Sequence, residues 1–309
     1  MSVGGVDAAA IQQALEILGP LAQTNVNLGV LTTYRVGGDT ALYIEAQTEQ
    51  DLEAVSRVRN ETDLPTLVIG KGSNLLVADT GFPGVTVAIG KLFETITMDR
   101  ETATVYAGST VALPALARQS VASGLTGFEW AVGVPGSIGG AVRMNAGGHG
   151  GDMSAVVAEV NVFDLRTSRS ETKTKDEMTF SYRKSAVTQD LIVLGATLQL
   201  ERDDTASGAK VLSEIVQWRR ANQPGGQNAG SVFVNPQEET SGELLDRLGF
   251  KGFRIGSAQV SAKHANFVQA DPGGSASDVD AVITAIASRV LSETGISLRT
   301  EIQRIGFEG

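Results

Sequence analysis

The sequence predicts a fold that combines helices and strands, because patterns typical of both recur along the chain. A strand–helix–strand order within residues 27–89 suggests a small α/β unit. Three segments between 156 and 200 alternate apolar and polar residues as antiparallel strands do. Helical periodicity then dominates residues 212–294.

The composition is that of a globular chain. Its 309 residues are 42% apolar and 19% charged, which suits two or three domains. The absence of cysteine excludes disulfides and cysteine nucleophiles, and two histidines argue against a metal site. The net charge of −10 argues against nucleic-acid partners, so an anionic ligand has to be met by local basic groups. We find no signal-peptide pattern or membrane-spanning apolar run, and expect a soluble cytoplasmic protein without membrane insertion.

The first half of the chain predicts capped helices between short strands. Asp7 is placed to cap a helix over 7–18. Thr48 and Asp51 form a capping-box pattern before a second helix. The other elements expected here are a turn and strand within 27–45, strands at 66–69, 85–89 and 103–107, and a helix at 111–124.

The second half predicts a sheet followed by helices. Its polar segment at 203–208 is typical of a linker. The elements expected on either side are antiparallel strands at 156–165, 171–175 and 191–200, helices through 212–218 and at 241–248 and 278–294, and a final strand at 298–305.

Glycine is concentrated between Gly133 and Gly151, so this segment presents mainly backbone atoms rather than side chains. Consecutive N–H groups in such turns form concave nests that favour phosphate. The spacing is neither that of a Rossmann turn nor that of a P-loop. Because Val134, Ile138 and Val142 are interleaved with the glycines, we predict a packed, ligand-facing loop rather than a flexible linker.

A second loop of this kind follows the predicted buried strand at 66–69. Gly70 and Gly72 permit close approach, Lys71 supplies charge, and Ser73 and Asn74 supply hydrogen bonds. Taken alone, this loop is equally well explained as an ordinary tight turn. Two such cradles in one chain predict a ligand with more than one phosphate.

These two loops resemble the flavin-binding half of the UDP-N-acetylenolpyruvoylglucosamine reductases, the MurB family of peptidoglycan synthesis. The resemblance covers nearly the whole chain from about Asn27, with the motifs in the family's order. The other motifs that carry it are Thr33-Tyr34-Arg35-Val36-Gly37-Gly38, Ser181-Tyr182-Arg183-Lys184-Ser185, Asn228-Ala229-Gly230-Ser231-Val232-Phe233-Val234-Asn235-Pro236, Ser261-Ala262-Lys263-His264-Ala265-Asn266-Phe267 and Leu298-Arg299-Thr300-Glu301-Ile302.

The resemblance implies an FAD-binding PCMH-type fold of two α+β subdomains followed by a C-terminal α+β substrate-binding domain. It implies non-covalent FAD, NADPH as co-substrate, and reduction of UDP-N-acetylglucosamine enolpyruvate to UDP-N-acetylmuramate. The expected domains are an FAD-binding domain at 1–205, with subdomains of about 1–92 and 93–205, a UDP-sugar domain at 206–300, and a strand at 301–309 that returns to the active site. The residues assigned to FAD are Gly70, Lys71, Gly72, Ser73, Asn74, Leu75, Gly133, Val134, Pro135, Gly136, Ser137, Ile138, Gly140, Asn145, Ala146 and Gly147.

The resemblance implies three catalytic residues. Hydride addition builds enolate character on the substrate carboxylate, and the guanidinium fork of Arg183 suits that charge. Glu301 matches the family position that helps to polarise the carboxyl group, as a donor if protonated or by orienting water or Arg183. Ser231 matches the serine that gives a proton to the substrate carbanion.

Four substrate-binding residues are implied as well: Tyr182, Asn235, Lys263 and His264. For His264, a hydrogen-bonded structural role is the alternative. Val234 departs from the family, because many members have lysine or another polar residue there, and Lys263 is a candidate replacement. The short stretch between Arg183 and Ser231 resembles the class that lacks a tyrosine-bearing loop over the UDP-sugar.

Two other functions stay open at this point. The first is a PCMH-type oxidase of an alcohol or hydroxy acid; many of these tether FAD through His or Cys, and only His149 lies near a glycine loop here. His149 is otherwise expected to pack locally. The second is a non-catalytic nucleotide- or sugar-binding module, in which Arg183 is an ordinary surface residue. Yellow protein that releases its colour on denaturation would favour the reductase.

Overall fold

The structure is a computed structural model that describes residues 7–307. Its α-helices are α1 Ala8–Leu18, α2 Glu49–Thr62, α3 Leu113–Ala122, α4 Ile138–Met144, α5 Met153–Val156, α6 Thr205–Asn222, α7 Ser241–Arg247 and α8 Ala276–Thr294. Its strands are β1 Gln23–Asn27, β2 Asp39–Ala46, β3 Thr66–Ile69, β4 Leu75–Val77, β5 Phe82–Ile89, β6 Ile96–Asp99, β7 Thr104–Gly108, β8 Leu125–Thr126, β9 Gly147–Gly148, β10 Gly151–Asp152, β11 Val157–Asp164, β12 Arg169–Thr174, β13 Leu191–Gln199, β14 Glu201–Arg202, β15 Arg254–Ile255, β16 Ala258–Val260, β17 Val268–Ala270 and β18 Gln303–Ile305.

The described residues form two compact units that are interleaved along the chain. We call the group 7–24, 41–71 and 84–219 the first unit, and the group 25–40, 72–83 and 220–307 the second unit. The chain therefore passes between the units within β1, β2, β5 and α6, and between Lys71 and Gly72 in the loop that follows β3. The domains expected from the sequence were divided by the ligand that each part would bind, whereas these units are divided by compactness. The expected boundaries therefore stay a prediction.

The first unit contains two hydrophobic cores. One joins α1 and α2 to a sheet of order β1-β2-β5-β3, in which β3 and β5 are parallel. The other lies against the antiparallel sheet β12-β11-β13-β7-β6 and includes α3 and α4. Strand β13 contributes Ile192 to the first core and Val193 to the second, because successive side chains of a strand face opposite sides of its sheet. This explains why β13 is buried almost along its whole length.

The second unit is built around the long helix α8. Its inward residues Val282 and Ile286 pack in one core with Phe233 and Phe250, beside the antiparallel sheet β15-β16-β17. Strand β18 near the chain end pairs in parallel with β4, with Gln303 opposite Leu75. The segment 303–305 is thereby held next to β4, which directly follows the glycine-containing loop at 70–74.

Local sequence signals predicted several elements correctly. The Asp7 carboxylate accepts a hydrogen bond from Ala9 N–H, and Thr48 with Asp51 forms the expected capping box. The predicted antiparallel pairing of β11 with β12 and β13 is also confirmed.

Two element predictions were wrong. The expected linker at 203–208 is helical from Thr205, because the Asp204 carboxylate accepts from Ala206 N–H and helps to begin α6. The expected strand at 298–305 is a strand only over β18, because residues 299–301 bond to a different partner, the segment 232–234.

Candidate active site

A cavity of about 310 Å³ lies in the first unit where β3 ends and α4 begins. Glycine-rich turns at strand ends are a frequent place for ligands in folds that combine strands and helices. The cavity is lined by Glu45, Val68, Ile69, Gly70, Lys71, Ala88, Ile89, Gly90, Lys91, Glu94, Ser109, Thr110, Ser137, Gly139, Gly140, Arg143, Val187, Leu191 and Val193. Gly70, Lys71, Ser137 and Gly140 are the members that the sequence assigned to the cofactor.

Backbone hydrogen bonds fix the start of α4 beside this cavity. Ile138 N–H donates to Val111 O at 3.0 Å, and Gly139 N–H donates to Ser109 O at 2.9 Å. The preceding Gly136 has a φ of +148°, a conformation that favours glycine. The loop before α4 is therefore shaped by the protein itself, with no contribution needed from a ligand.

The glycines of α4 differ in what surrounds them. A Cβ on Gly139 would lie 3.0 Å from Ser109 Cβ, so a side chain at this position would be tightly packed against the protein. A Cβ on Gly140 would have only Ser137 Oγ within 4 Å, at 3.9 Å, and Gly140 lines the cavity. Gly140 therefore leaves space that a bound group, rather than the protein, would fill.

Two buried hydroxyl groups of the cavity lining have no hydrogen-bond partner in the described part of the chain, and a third hydroxyl lies at the start of α4. Among the residues the structure describes, Ser109 Oγ and Thr110 Oγ1 are buried and make no hydrogen bond. Ser137 is the N-cap residue of α4, yet its side chain does not cap the helix. Buried polar atoms are seldom left unpaired, so their presence indicates that a polar ligand completes this cavity.

Charges of both signs also line the cavity. Lys71, Lys91 and Arg143 supply cations, and Glu45 and Glu94 supply carboxylates. Burial lowers the pKa of the Arg143 guanidinium, which also donates to Thr188 O at 3.2 Å. Cations suit phosphate and carboxylates suit sugar hydroxyls. The lining thus fits the nucleotide part of FAD.

Sequence reasoning did not single out Arg143. The residue lies three positions after Gly140 on α4, and residues three or four apart share a helix face. That spacing is the signal that could have placed it in the cavity.

The other residues assigned to the cofactor lie outside the cavity lining. Gly147 is needed for packing, because its Cβ would lie 2.5 Å from Asp152 Cβ. Ala146 takes part in backbone bonds with Ala141 and Met153. Gly133, Val134, Pro135, Gly136, Ile138 and Asn145 belong to the first unit, whereas Gly72, Ser73, Asn74 and Leu75 belong to the second. Their contact with FAD stays a prediction.

Arg183 lies in a tight turn of the first unit. Ser181 and Lys184 exchange two backbone hydrogen bonds of 2.9 and 3.0 Å, which makes Tyr182 and Arg183 the two central residues. Arg183 has a φ of +57°, where a non-glycine residue is strained, and its guanidinium lies 5.3 Å from the Tyr182 ring centre. Strained residues of this kind cluster at functional sites.

Ser231 and Glu301 are brought together in the second unit, although 69 residues separate them in the sequence. Glu301 N–H donates to Val232 O at 2.7 Å, and Phe233 forms an antiparallel bridge with Thr300. Asn74, which the sequence assigned to the cofactor, donates from Nδ2 to Glu301 O at 3.1 Å. Two of the three expected catalytic residues therefore lie on paired backbone segments.

Asn266 holds the Ser231 segment and was missed as a contributor. It is buried, its Oδ1 accepts from Phe233 N–H, and its Nδ2 donates to Phe233 O, both at 2.9 Å. Its backbone carbonyl accepts from Val232 N–H, also at 2.9 Å. The sequence showed Asn266 within a family motif, but its long-range partner could not be read from local pattern.

Asn235 and Lys263 have protein partners in the second unit. Asn235 Oδ1 accepts from Ser241 N–H at 3.0 Å at the start of α7. The Lys263 ammonium donates to the backbone carbonyl of Arg220. Tyr182, the third expected substrate contact, belongs to the first unit and is 55% exposed.

Both histidines pack against aromatic rings. His264 Nδ1 accepts from Asn266 N–H at 3.2 Å and its ring lies 4.8 Å from that of Phe267. Burial, with a smaller effect of Lys251, lowers the pKa of His264. In the first unit, His149 lies 5.0 Å from the Trp218 ring, and burial lowers its pKa as well.

Two family models match the chain. One, described as "FAD binding domain", matches residues 40–169; the other, "UDP-N-acetylenolpyruvoylglucosamine reductase, C-terminal domain", matches residues 222–305. The fold and cavity, taken with the first match, define the class: the protein is a flavoprotein with an FAD-binding domain.

Named relatives match almost from end to end. The UDP-N-acetylenolpyruvoylglucosamine reductase of Heliobacterium modesticaldum is 42% identical and covers 90% of this chain and 88% of its own. That of a Synechococcus species is 39% identical and covers 100% and 99%. The crystal structure of the enzyme from Thermus caldophilus superposes with a TM-score of 0.79 at 31% identity, over 91% of this chain and 98% of that one. The chain belongs to the UDP-N-acetylenolpyruvoylglucosamine reductase family.

Family membership confirms the α+β fold, the FAD cofactor and the oxidoreductase class expected from the sequence. Among the described residues, no group of three or more histidine, aspartate or glutamate side chains is arranged to hold a metal ion. None of the described helices is both long and apolar enough to cross a membrane.

Proposed function

We propose that this protein reduces UDP-N-acetylglucosamine enolpyruvate to UDP-N-acetylmuramate, with NADPH as the electron donor, in peptidoglycan precursor synthesis. The observation that carries the proposal is the near end-to-end likeness to relatives named UDP-N-acetylenolpyruvoylglucosamine reductase. The pairing of the Ser231 and Glu301 segments supports it, because the reaction needs a proton donor beside a polarising group. A cytoplasmic location is part of the proposal.

The cofactor would be held in the first unit. The backbone of Gly70 and Gly140 would approach it, Lys71 and Arg143 would face its diphosphate, and Ser137 would donate a hydrogen bond. When bound, FAD supplies the hydride for the terminal alkene carbon of the substrate. The FAD-binding domain would span residues 1–205 and the UDP-sugar domain residues 206–300, with 301–309 as the terminal segment.

Arg183 would bind the carboxylate of the enolpyruvyl group. Hydride addition to the alkene turns this carboxylate into an enolate-like group with more negative charge, and a guanidinium fork stabilises that charge. The Ser181–Lys184 turn fixes the backbone on either side of Arg183. A fixed donor costs little reorganisation at the moment of reaction.

Ser231 would complete the reaction by giving its hydroxyl proton to the carbon next to the carboxylate. A serine hydroxyl is a weak acid, so the transfer depends on a strongly basic carbanion and on close positioning. The resulting alkoxide regains a proton from solvent. Glu301 would polarise the carboxyl group or orient water, and Asn266 would hold the Ser231 backbone.

The substrate nucleotide would be bound by Tyr182, Asn235 and Lys263. The Tyr182 side chain is exposed, so its ring is accessible to a ligand. Asn235 Nδ2 and the remaining N–H groups of Lys263 are donors suited to phosphate or ribose oxygens. For His264 the contacts favour the structural alternative, since its Nδ1 is engaged by Asn266 N–H.

The proposal is tested by separating the two half-reactions under anaerobic conditions. NADPH should bleach the flavin of the purified protein, and the enolpyruvyl sugar nucleotide should then restore the colour with formation of the lactyl ether product. Reduced flavin that is restored by oxygen but not by the enolpyruvyl nucleotide would instead favour an oxidase. Protein that takes up no FAD would favour a binding module.

A further inference from the structure

Asn145 ends helix α4 in a left-handed conformation, with φ of 41° and ψ of 55°, and is only 3% exposed. The sequence assigned it to the cofactor. We propose instead that Asn145 is a positioning residue for Arg183, holding the strained turn that presents the guanidinium. This inference deepens the proposed function and rests on it for the role of Arg183.

The side-chain amide of Asn145 is occupied by the protein on both of its ends. Oδ1 accepts from Ser154 N–H at 2.9 Å, and Nδ2 donates to Asp152 Oδ2 at 3.3 Å. These partners fix which end of the amide carries the donors, because a backbone N–H requires an acceptor and a carboxylate requires a donor. The second N–H of Nδ2 is thereby directed to Ser181 O, at 3.0 Å.

Ser181 is the residue that begins the Arg183 turn. Its carbonyl also accepts the turn-closing bond from Lys184 N–H. Asn145 therefore holds the carbonyl through which the turn is closed. A turn with a non-glycine residue at positive φ persists only where its surroundings determine it.

A second contact secures the other side of the turn. Ser185 Oγ donates to Arg143 O at 2.8 Å, two residues before Asn145 on the same helix end. The Arg143 guanidinium in turn donates to Thr188 O at 3.2 Å. The end of α4 thus holds the chain on both sides of Arg183, while Gly139 and Gly140 at its start line the cavity.

This arrangement has a consequence for catalysis. The donors of Arg183 are useful only in the geometry that the developing carboxylate charge requires, and a misplacement of about 1 Å can cost roughly 100-fold in rate. Without the Asn145 bond, the turn can relax from positive φ and move the guanidinium. The cavity residues at the start of α4 would stay in place, because the backbone bonds of Ile138 and Gly139 hold them.

The test is Asn145→Asp, which keeps the side-chain shape and an acceptor for Ser154 N–H but removes the donors to Ser181 O and to Asp152 Oδ2. Because the new carboxylate faces that of Asp152, the double variant Asn145→Asp/Asp152→Asn is measured beside it. The double variant removes the repulsion without restoring the Asn145 donor to Ser181 O, so the loss described below should persist in it. Asn and Asp both tolerate the left-handed conformation. We expect FAD affinity and flavin reduction by NADPH to stay within about twofold of wild type. Reoxidation by saturating enolpyruvyl nucleotide should fall roughly 100-fold. Ser154→Ala is the matched control, since it removes the bond from the Ser154 hydroxyl to Asp152 but leaves the bond from Asn145 to Ser181 O in place.

A second readout is independent of activity. Hydrogen exchange of the Lys184 amide should be faster in Asn145→Asp than in wild type and in Ser154→Ala, because this amide closes the turn. If Asn145→Asp does not fold, Asn145→Gly takes its place, since glycine adopts positive φ freely.

Loss of FAD affinity in parallel with activity would overturn the inference and return Asn145 to the cofactor. Unchanged exchange at Lys184 with unchanged reoxidation would overturn it too. Failure of the proposed function is distinct, because then wild-type protein itself would not be reoxidised by the enolpyruvyl nucleotide, whatever the exchange result.

Discussion

The candidate cofactor cavity of the first unit and the Ser231–Glu301 pair of the second unit are built in different ways. The cavity is open because Gly140 has no side chain to fill it, and two buried hydroxyl groups in its lining have no hydrogen-bond partner within residues 7–307. The Ser231–Glu301 pair depends on complete bonding, with both backbone segments paired and the buried Asn266 amide satisfied at both ends. A ligand site is therefore recognised by the polar atoms that the protein leaves unpaired, whereas the proposed proton-donor site is distinguished by how firmly its backbone is held.

The largest effect is expected at Ser231. Ser231→Ala should leave flavin reduction by NADPH intact and slow reoxidation by substrate by roughly 100- to 10,000-fold, the range for loss of a general acid. Stopped-flow measurement of each half-reaction checks this, with Ser292→Ala on the exposed face of α8 as control. Equal slowing of both half-reactions would mean that Ser231 shapes the site rather than delivering a proton.

Arg183→Lys should come next. Lysine keeps the charge but loses the two-pronged geometry, and loss of one well-placed donor costs about 100- to 1,000-fold in rate. The loss should appear in reoxidation by substrate and not in reduction by NADPH. Arg57→Lys, on an exposed surface of α2, is the control. Wild-type reoxidation in Arg183→Lys would remove Arg183 from the mechanism.

Gly140→Val sharpens the comparison within the glycine segment. The added Cβ would have only Ser137 Oγ within 4 Å, at 3.9 Å, and position 140 lines the cavity, so FAD binding should weaken while the fold survives. Overpacking costs about 1–3 kcal/mol, which is roughly 5- to 150-fold in Kd.

Gly148→Ala is the control for that variant, because its Cβ would make only an ordinary 3.8 Å contact with Val134 Cγ2 and Gly148 does not line the cavity. Gly147→Ala should instead lower the melting temperature, since its Cβ would lie 2.5 Å from Asp152 Cβ and from Gly151 O. Normal FAD affinity in Gly140→Val would mean that the cavity is not the cofactor site.

The smallest effect is a pH dependence from His264. Its pKa is lowered in the folded protein from the ordinary 6.5, so the unfolded chain binds a proton at pH values where the folded protein does not. The contribution of neutral His264 is thus fully present above about pH 6.5 and is lost as the pH falls toward its folded pKa. Between pH 7.5 and about pH 5.5, thermal melts should show a smaller loss of stability in His264→Asn than in wild type. The Asn Oδ1 replaces the Nδ1 acceptor but does not titrate. An identical pH dependence in both proteins would contradict this role.

Local signals were enough for much of the fold. The Thr48 capping box and the bond from Ala9 N–H to Asp7 span three residues or fewer, so both could be predicted from neighbouring residues. Residues 299–301 were predicted as a strand from their own pattern, but their partner lies about 70 residues earlier at 232–234. Pairing over such a separation leaves no local trace.

The glycine segment shows the same limit at the candidate site. Glycine at 140 and at 147 is identical in sequence, yet one opens a cavity and the other permits close packing on Asp152. Both were assigned to the cofactor because glycine content reports close approach without reporting what approaches. Asn145 was assigned with them, and its three hydrogen-bond partners are what favour the proposed positioning role over a contact with the cofactor.

The central claim is that the cavity of the first unit determines FAD affinity, whereas Ser231 in the second unit acts only in the reaction with substrate. Its most direct test is one FAD titration, followed by flavin fluorescence, of wild type, Gly140→Val and Ser231→Ala side by side. We predict that Gly140→Val binds FAD more weakly by about 5- to 150-fold and that Ser231→Ala binds it as wild type does. Loss of FAD affinity in Ser231→Ala as large as in Gly140→Val would contradict this division of roles.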